Sequence, residues 1–190
     1  MDEEINTIER NKTWNLVDLP EDKNCIGVKW IYKTKLNADG DKAILVAHGF
    51  IQQPGIDYNE TFAPIDRLDT VRMVLAIAAH NKWYVHKMDV MSTFLNGYLE
   101  EEVYVRQPSG YEVDGQEDKV YRLKKALYGL KQEPRVWYSR IDEYLNGEGF
   151  SRSPSEPTLY SKVHQEGKIL IVCLYVDDLI FTGDISVDEF

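Results

Sequence analysis

Lys168-Ile-Leu-Ile-Val-Cys-Leu-Tyr-Val-Asp-Asp-Leu-Ile-Phe-Thr-Gly-Asp184 decides the reading of this chain. A long apolar strand, two adjacent acids and a shorter apolar strand predict a β-hairpin with Asp177 and Asp178 at its tip. Tight hairpin turns favour Asn-Gly, Asp-Gly or Gly-X. Burying neighbouring carboxylates is costly unless they are paired or bind a metal. The pair therefore reads either as a solvated turn or as part of a metal site.

Working outward, the alternation in Trp83 to Val90 predicts a second strand, with Val85, Lys87 and Asp89 on one face. Asp89 ends that strand and can lie beside the hairpin tip in one sheet. Asp89, Asp177 and Asp178 would then be three carboxylates at strand ends, a suitable ligand set for two Mg²⁺ ions, with Mn²⁺ as a substitute. Such ions can activate a primer 3′-hydroxyl and stabilise a leaving pyrophosphate.

Elsewhere the pattern predicts a hairpin of Val28–Lys35 and Ile44–Ala47 around Asn37-Ala-Asp-Gly40. A helix over Val71–His80 follows, capped by Asp69 or Thr70. Pro134 suits the first turn of another helix, with Trp137, Ile141, Tyr144 and Leu145 on its apolar face and Asn146-Gly147 as its stop. Residues 1–24, polar and acidic with Pro20, read as an extended lead-in. Helices and strands alternate without a βαβ rhythm, which predicts an α+β fold.

The chain has 190 residues, 43% hydrophobic, enough for one ordinary globular domain and too apolar for disorder. It shows no membrane-length apolar run and no signal-peptide layout after Met1-Asp-Glu-Glu4. Cys25 and Cys173 are too few for a disulfide framework. These features predict a soluble intracellular chain, cytoplasmic or nuclear, without a membrane partner. The net charge of −10 does not point to nucleic acid. It is segregated, however: Glu100–Asp118 carries seven acids and Arg106, whereas Lys119–Arg140 carries seven bases and Glu133.

The ordered set of short motifs resembles the copia-type reverse transcriptase domain of long-terminal-repeat retrotransposon Pol polyproteins. Its marks are Val28-Lys-Trp-Ile-Tyr-Lys33, Thr61-Phe-Ala-Pro64, Met88-Asp-Val90, Phe94-Leu-Asn-Gly97 and Glu102-Val-Tyr104 with Gln107-Pro108. They continue through Ala126-Leu-Tyr-Gly-Leu-Lys-Gln132, Pro134-Arg135, Trp137-Tyr138 and Tyr175-Val-Asp-Asp178, so the resemblance runs from about Thr13 to Asp184. Another palm-like nucleotidyl transferase or cyclase would share the carboxylates but not the Leu127–Gln132 series.

The resemblance implies an RNA-directed DNA polymerase, a nucleotidyltransferase of a transposable element, working on an RNA or DNA template-primer and dNTPs. It implies a palm, an antiparallel sheet with helices on one face, and a fingers subdomain. Residues 1–12 would be the acidic lead-in, 13–67 and 98–131 fingers, and 68–97 and 132–190 palm. Thumb and RNase H regions are expected to lie outside this chain. Asp89, Asp177 and Asp178 would be the catalytic, magnesium-binding carboxylates. Phe94 would exclude a ribose 2′-hydroxyl, and Gln132 and Lys42 would contact the nucleotide. Lys131, Arg135, Lys124 and Lys125 would face the nucleic-acid backbone.

Several positions depart from the family pattern. Ile44 stands where an arginine would grip the triphosphate, His48 stands for a lysine, and the segment after Gly40 is shorter. Isoleucine neither donates a hydrogen bond nor neutralises phosphate. Met91-Ser-Thr93 and Glu133 also differ. The alternative expectation is thus a catalytically inactive transposon remnant with at most weak nucleic-acid binding.

Overall fold

The computed structural model describes residues 1–33, 42–64, 67–90, 93–164, 167–176 and 178–184. They form a mixed α+β fold of two compact units, Met1–Phe62 with Phe94–Trp137 and Ala63–Thr93 with Tyr138–Phe190. Asp177, Met91, Ser92 and the Asn37–Gly40 turn lie outside the described residues.

The first unit begins with a helix where the sequence reads as an extended lead-in. Helix α1 spans Asp2–Arg10, with three acids in its first turn and Arg10 in its last, the arrangement its dipole favours. Only Ile5 and Ile8 supply an apolar stripe, and both are buried. Lys12, at φ 52°, ends the helix: its N–H donates to Glu9 O, and the Thr13 N–H donates to Ile8 O at 3.1 Å. This is a Schellman closure with lysine where glycine is usual.

Strands β1 (Trp14–Val17), β2 (Cys25–Ile26), β6 (Tyr98–Arg106) and β7 (Val120–Lys125) build a sheet ordered β1-β7-β6-β2. The register groups Trp14, Leu16, Tyr121, Leu123, Val103, Val105 and Ile26 on one face. That face joins Ile5, Ile8, Leu45, Leu127 and Leu130 in the unit's core. The hairpin of β3 (Val28–Lys33) and β4 (Lys42–Ala47) pairs antiparallel, Val28 opposite Ala47. The end of β4 is pressed against the Tyr128–Leu130 turn. Ala47 N–H donates to Tyr128 O at 2.7 Å, and a Cβ on Gly129 (φ +91°) would sit 2.3 Å from Ala47 O. Only glycine fits there.

In the second unit, five antiparallel strands run in the order β5-β11-β10-β9-β8. They are β5 (Val85–Asp89), β8 (Ser151–Arg152), β9 (Leu159–Val163), β10 (Ile169–Tyr175) and β11 (Asp178–Gly183). Helix α2 (Leu68–Asn81) buries Thr70, Val74 and Ala78. Its N-cap is Arg67, so neither Asp69 nor Thr70 caps it. Thr70 lies one turn too far in, and its hydroxyl donates to Glu156 Oε2 at 3.1 Å.

Helix α3 (Glu133–Gly147) buries Val136, Trp137, Ile141 and Leu145, but Tyr144 is exposed, a correction to the expected apolar face. Its stop is Gly149 (φ +84°) and not Gly147: Phe150 N–H reaches back to Leu145 O at 2.9 Å. Leu145 and Phe150, both buried, make the apolar contact that accompanies this closure.

Candidate active site

The long hairpin forms as expected, with Tyr175 opposite Asp178 and Val176 and Asp177 as the two residues between them. Val176 has φ 52°. A β-branched residue in the left-handed region costs on the order of 1–3 kcal/mol. This backbone turn lets the chain reverse in two residues, so that Asp178 starts the return strand.

Asp178 pairs directly with Asp89 on β5. Cross-strand partners share a face with Cβ atoms about 5 Å apart. Asp89 and Asp178 therefore meet at one end of the sheet, with Val85 and Lys87 on the same face. The register is pinned from both sides. Thr182 Oγ1, buried, donates to Tyr84 O at 2.8 Å, and the His86 and Phe181 rings stack at 5.2 Å on the opposite face. A slip of one residue would send one carboxylate to the other face.

Like charges directly opposite in a sheet are destabilising. Lys87 offsets this: its Nζ lies 2.8 Å from Asp178 Oδ2. The hydrogen bond to Asp178, then the charges of Asp178 and Asp89, hold the ammonium above the ordinary lysine value. Among the described residues no group of three His, Cys, Asp or Glu side chains gathers, and Asp177 lies outside them. Two facing carboxylates supply hard oxygen donors of the kind Mg²⁺ takes. The donor set fits such an ion, and Lys87 already neutralises part of it.

The other predicted residues belong to the first unit. Phe94 is buried in a 3₁₀ turn, Thr93–Asn96, and meets Tyr128 edge-on at 5.1 Å. Gln132 is fully buried. Its Oε1 accepts from Gln52 Nε2 at 3.1 Å, and its Nε2 makes a long contact of 3.5 Å to Asp57 O. Gln52 Oε1 accepts the Lys131 N–H at 2.8 Å, so Gln52 ties both residues down. Lys42 starts β4 opposite Lys33, exposed.

Arg135 reaches Glu101 at 2.8 Å and Glu100 at 3.7 Å, with only 16% of its side chain exposed. Lys124 is exposed, and Lys125 lies over the Tyr98 ring at 5.3 Å. Ile44 sits opposite Ile31 on β3. Sequence reasoning gave no role to Lys87, Gln52 or Glu101. The alternation around Asp89 signalled Lys87's face, the acidic block signalled Glu101, and nothing signalled Gln52.

Residues 11–188 match the family described as "Reverse transcriptase (RNA-dependent DNA polymerase)". The chain belongs to this family. It is similar to the Retrovirus-related Pol polyprotein from transposon TNT 1-94 of Nicotiana tabacum, 41% identical over 96% of this chain and 14% of the relative. It is also similar to those from transposons RE2 and RE1 of Arabidopsis thaliana, at 43% and 42% identity over 98% and 97% of the chain and 13% of each relative. The chain thus spans about one seventh of these relatives' length. Among the described residues no helix is long and apolar enough to cross a membrane.

Proposed function

We propose that this chain is the polymerase portion of a retrotransposon Pol polyprotein and performs RNA-directed DNA synthesis by two-metal nucleotidyl transfer. The supporting observation is the direct pairing of Asp89 with Asp178 at one end of a sheet, in a chain of the reverse transcriptase family. An exposed and a half-buried carboxylate held face to face repel each other, and a divalent cation between them would offset that repulsion.

Asp89, Asp178 and Asp177 would hold the ions, which, when bound, activate the primer 3′-hydroxyl and stabilise the departing pyrophosphate. The chain's own residues do the rest. Phe94, its ring clamped by Tyr128, forms a firm gate against a ribose 2′-hydroxyl. Lys42, Lys124, Lys125 and Lys131 offer charge to phosphates of the nucleotide and template-primer. For Gln132 and Arg135 to touch substrate, their bonds to Gln52 and Glu101 must open.

A second reading, a fold kept without catalysis, draws on the Ile44–Ile31 pair: it is apolar where the resemblance calls for a triphosphate-gripping cation. Mg²⁺-dependent primer extension on an RNA template separates the two, with Asp178→Asn as control. Extension that disappears in the control supports the polymerase. A folded chain that extends nothing leaves the second reading.

A further inference from the structure

We propose that Lys87 is a built-in counter-ion that competes with divalent metal for Asp178 and thereby sets the metal concentration at which the carboxylate pair fills. This rests on the reading of Asp89 and Asp178 as metal ligands.

The geometry is specific. Lys87 lies two residues before Asp89 on β5, so both side chains share a face. Its own cross-strand partner is Ile180, and Asp178 is the diagonal neighbour toward the hairpin end. To bring Nζ within 2.8 Å of Asp178 Oδ2, the side chain must lean along the strand past Ile180. The ammonium thus sits on one of the two carboxylates a metal needs, while 64% of the Lys87 side chain stays exposed and free to swing away.

An ammonium has no fixed coordination geometry and a flexible stem, so it makes an exchangeable counter-ion. It brings one positive charge to a site with two negative ones, and a divalent ion brings both. The metal must displace Nζ from Asp178 and then hold its place against a nearby like charge. Both effects weaken apparent metal affinity. An exposed ion pair together with the repulsion of a neighbouring cation amounts to about a three- to tenfold change in binding.

The test is Mn²⁺ binding to the whole chain, measured by electron paramagnetic resonance of free Mn²⁺, in wild type, Lys87→Met, Lys87→Arg and Asp178→Asn. Lys87→Met is expected to tighten the site that Asp178→Asn removes by three- to tenfold, and Lys87→Arg, which keeps the charge, to stay near wild type. Lys87→Gln replaces the methionine variant if that chain does not fold. Unchanged or weaker binding in Lys87→Met, with the site still lost in Asp178→Asn, overturns the competition and leaves the ligand assignment standing. Wild type and Asp178→Asn binding alike overturns the ligand assignment, and the competition with it.

Discussion

Replacing Gln132 with alanine tests whether this residue is chiefly an internal tie. Gln132 is fully buried, and Gln52, its partner, is 5% exposed. The alanine variant leaves Gln52 Nε2 a buried donor without an acceptor, which costs about 1–3 kcal/mol. The vacated side-chain volume adds about 1 kcal/mol where the surroundings do not collapse. The long 3.5 Å contact to Asp57 O contributes little. The total is about 2–4 kcal/mol.

Urea unfolding reads this loss through the fluorescence of Trp14, which stacks on Tyr121 in the same unit. With a slope of about 2 kcal/mol per molar urea, the midpoint should fall by about 1–2 M. The double variant Gln52→Ala/Gln132→Ala should cost less than the two single losses combined, with about 1 kcal/mol of coupling, because neither side of the bond then remains. A loss under about 0.5 kcal/mol, together with a raised KM for nucleotide, would refute the argument: Gln132 would then be spending its polarity on substrate.

Arg135→Met should destabilise the first unit by about 3 kcal/mol, because Glu101, 11% exposed, loses its ion-pair partner; the Arg135→Met/Glu101→Met pair should recover most of it in the same urea assay. Lys12→Gly and Lys82→Gly, at φ 52° and 58°, should each raise stability by about 0.5–1 kcal/mol in thermal unfolding, since glycine carries no left-handed penalty. Burial lifts Glu4 above the ordinary carboxyl value against the pull of its bond to Leu45 N–H. The folded state therefore holds its proton more tightly, and stability falls as pH rises from the unfolded value through the raised folded one. Glu4→Gln should flatten that slope in urea titrations run upward from the ordinary carboxyl range and should be the more stable chain at neutral pH.

The long hairpin was legible as two apolar runs broken by Asp177-Asp178, and the Asp89 strand by its period-two alternation; register then follows from the faces. The β3–β4 hairpin was legible from its β-branched and aromatic residues and the Asp39-Gly40 signal between the two runs. Helix α1 was not: with only Ile5 and Ile8 to bury, its stripe is too thin to stand out from an acidic lead-in, and its packing is decided by Leu45 and the sheet beneath. The stop of α3 was missed by two residues because Asn146-Gly147 is a strong local signal, whereas Gly149 is chosen by where Phe150 can reach Leu145. From sequence alone the basic run reads equally as a solvated face or as a surface toward nucleic-acid backbone. In the folded chain Arg122 and Arg135 answer Glu102 and Glu101, so charge segregated along the sequence is complementary in space.

That last point bears on which residues argue for chemistry. Within the Leu127–Gln132 series, specific as a family mark, Leu127, Leu130 and Gln132 are buried and Gly129 admits the backbone of Ala47, so packing accounts for these four, whereas Lys131 is exposed. Residues buried in this way hold the fold whether or not the chain is active. Asp89 and Asp178 are different, because their facing carboxylates repel and stabilise nothing by themselves. An inactive chain would gain by losing one of them: Asp89→Asn removes the repulsion and leaves Lys87 paired with Asp178. The proposed catalysis therefore rests on this facing pair more than on the longer motifs, and Ile44 is the residue that it must work around.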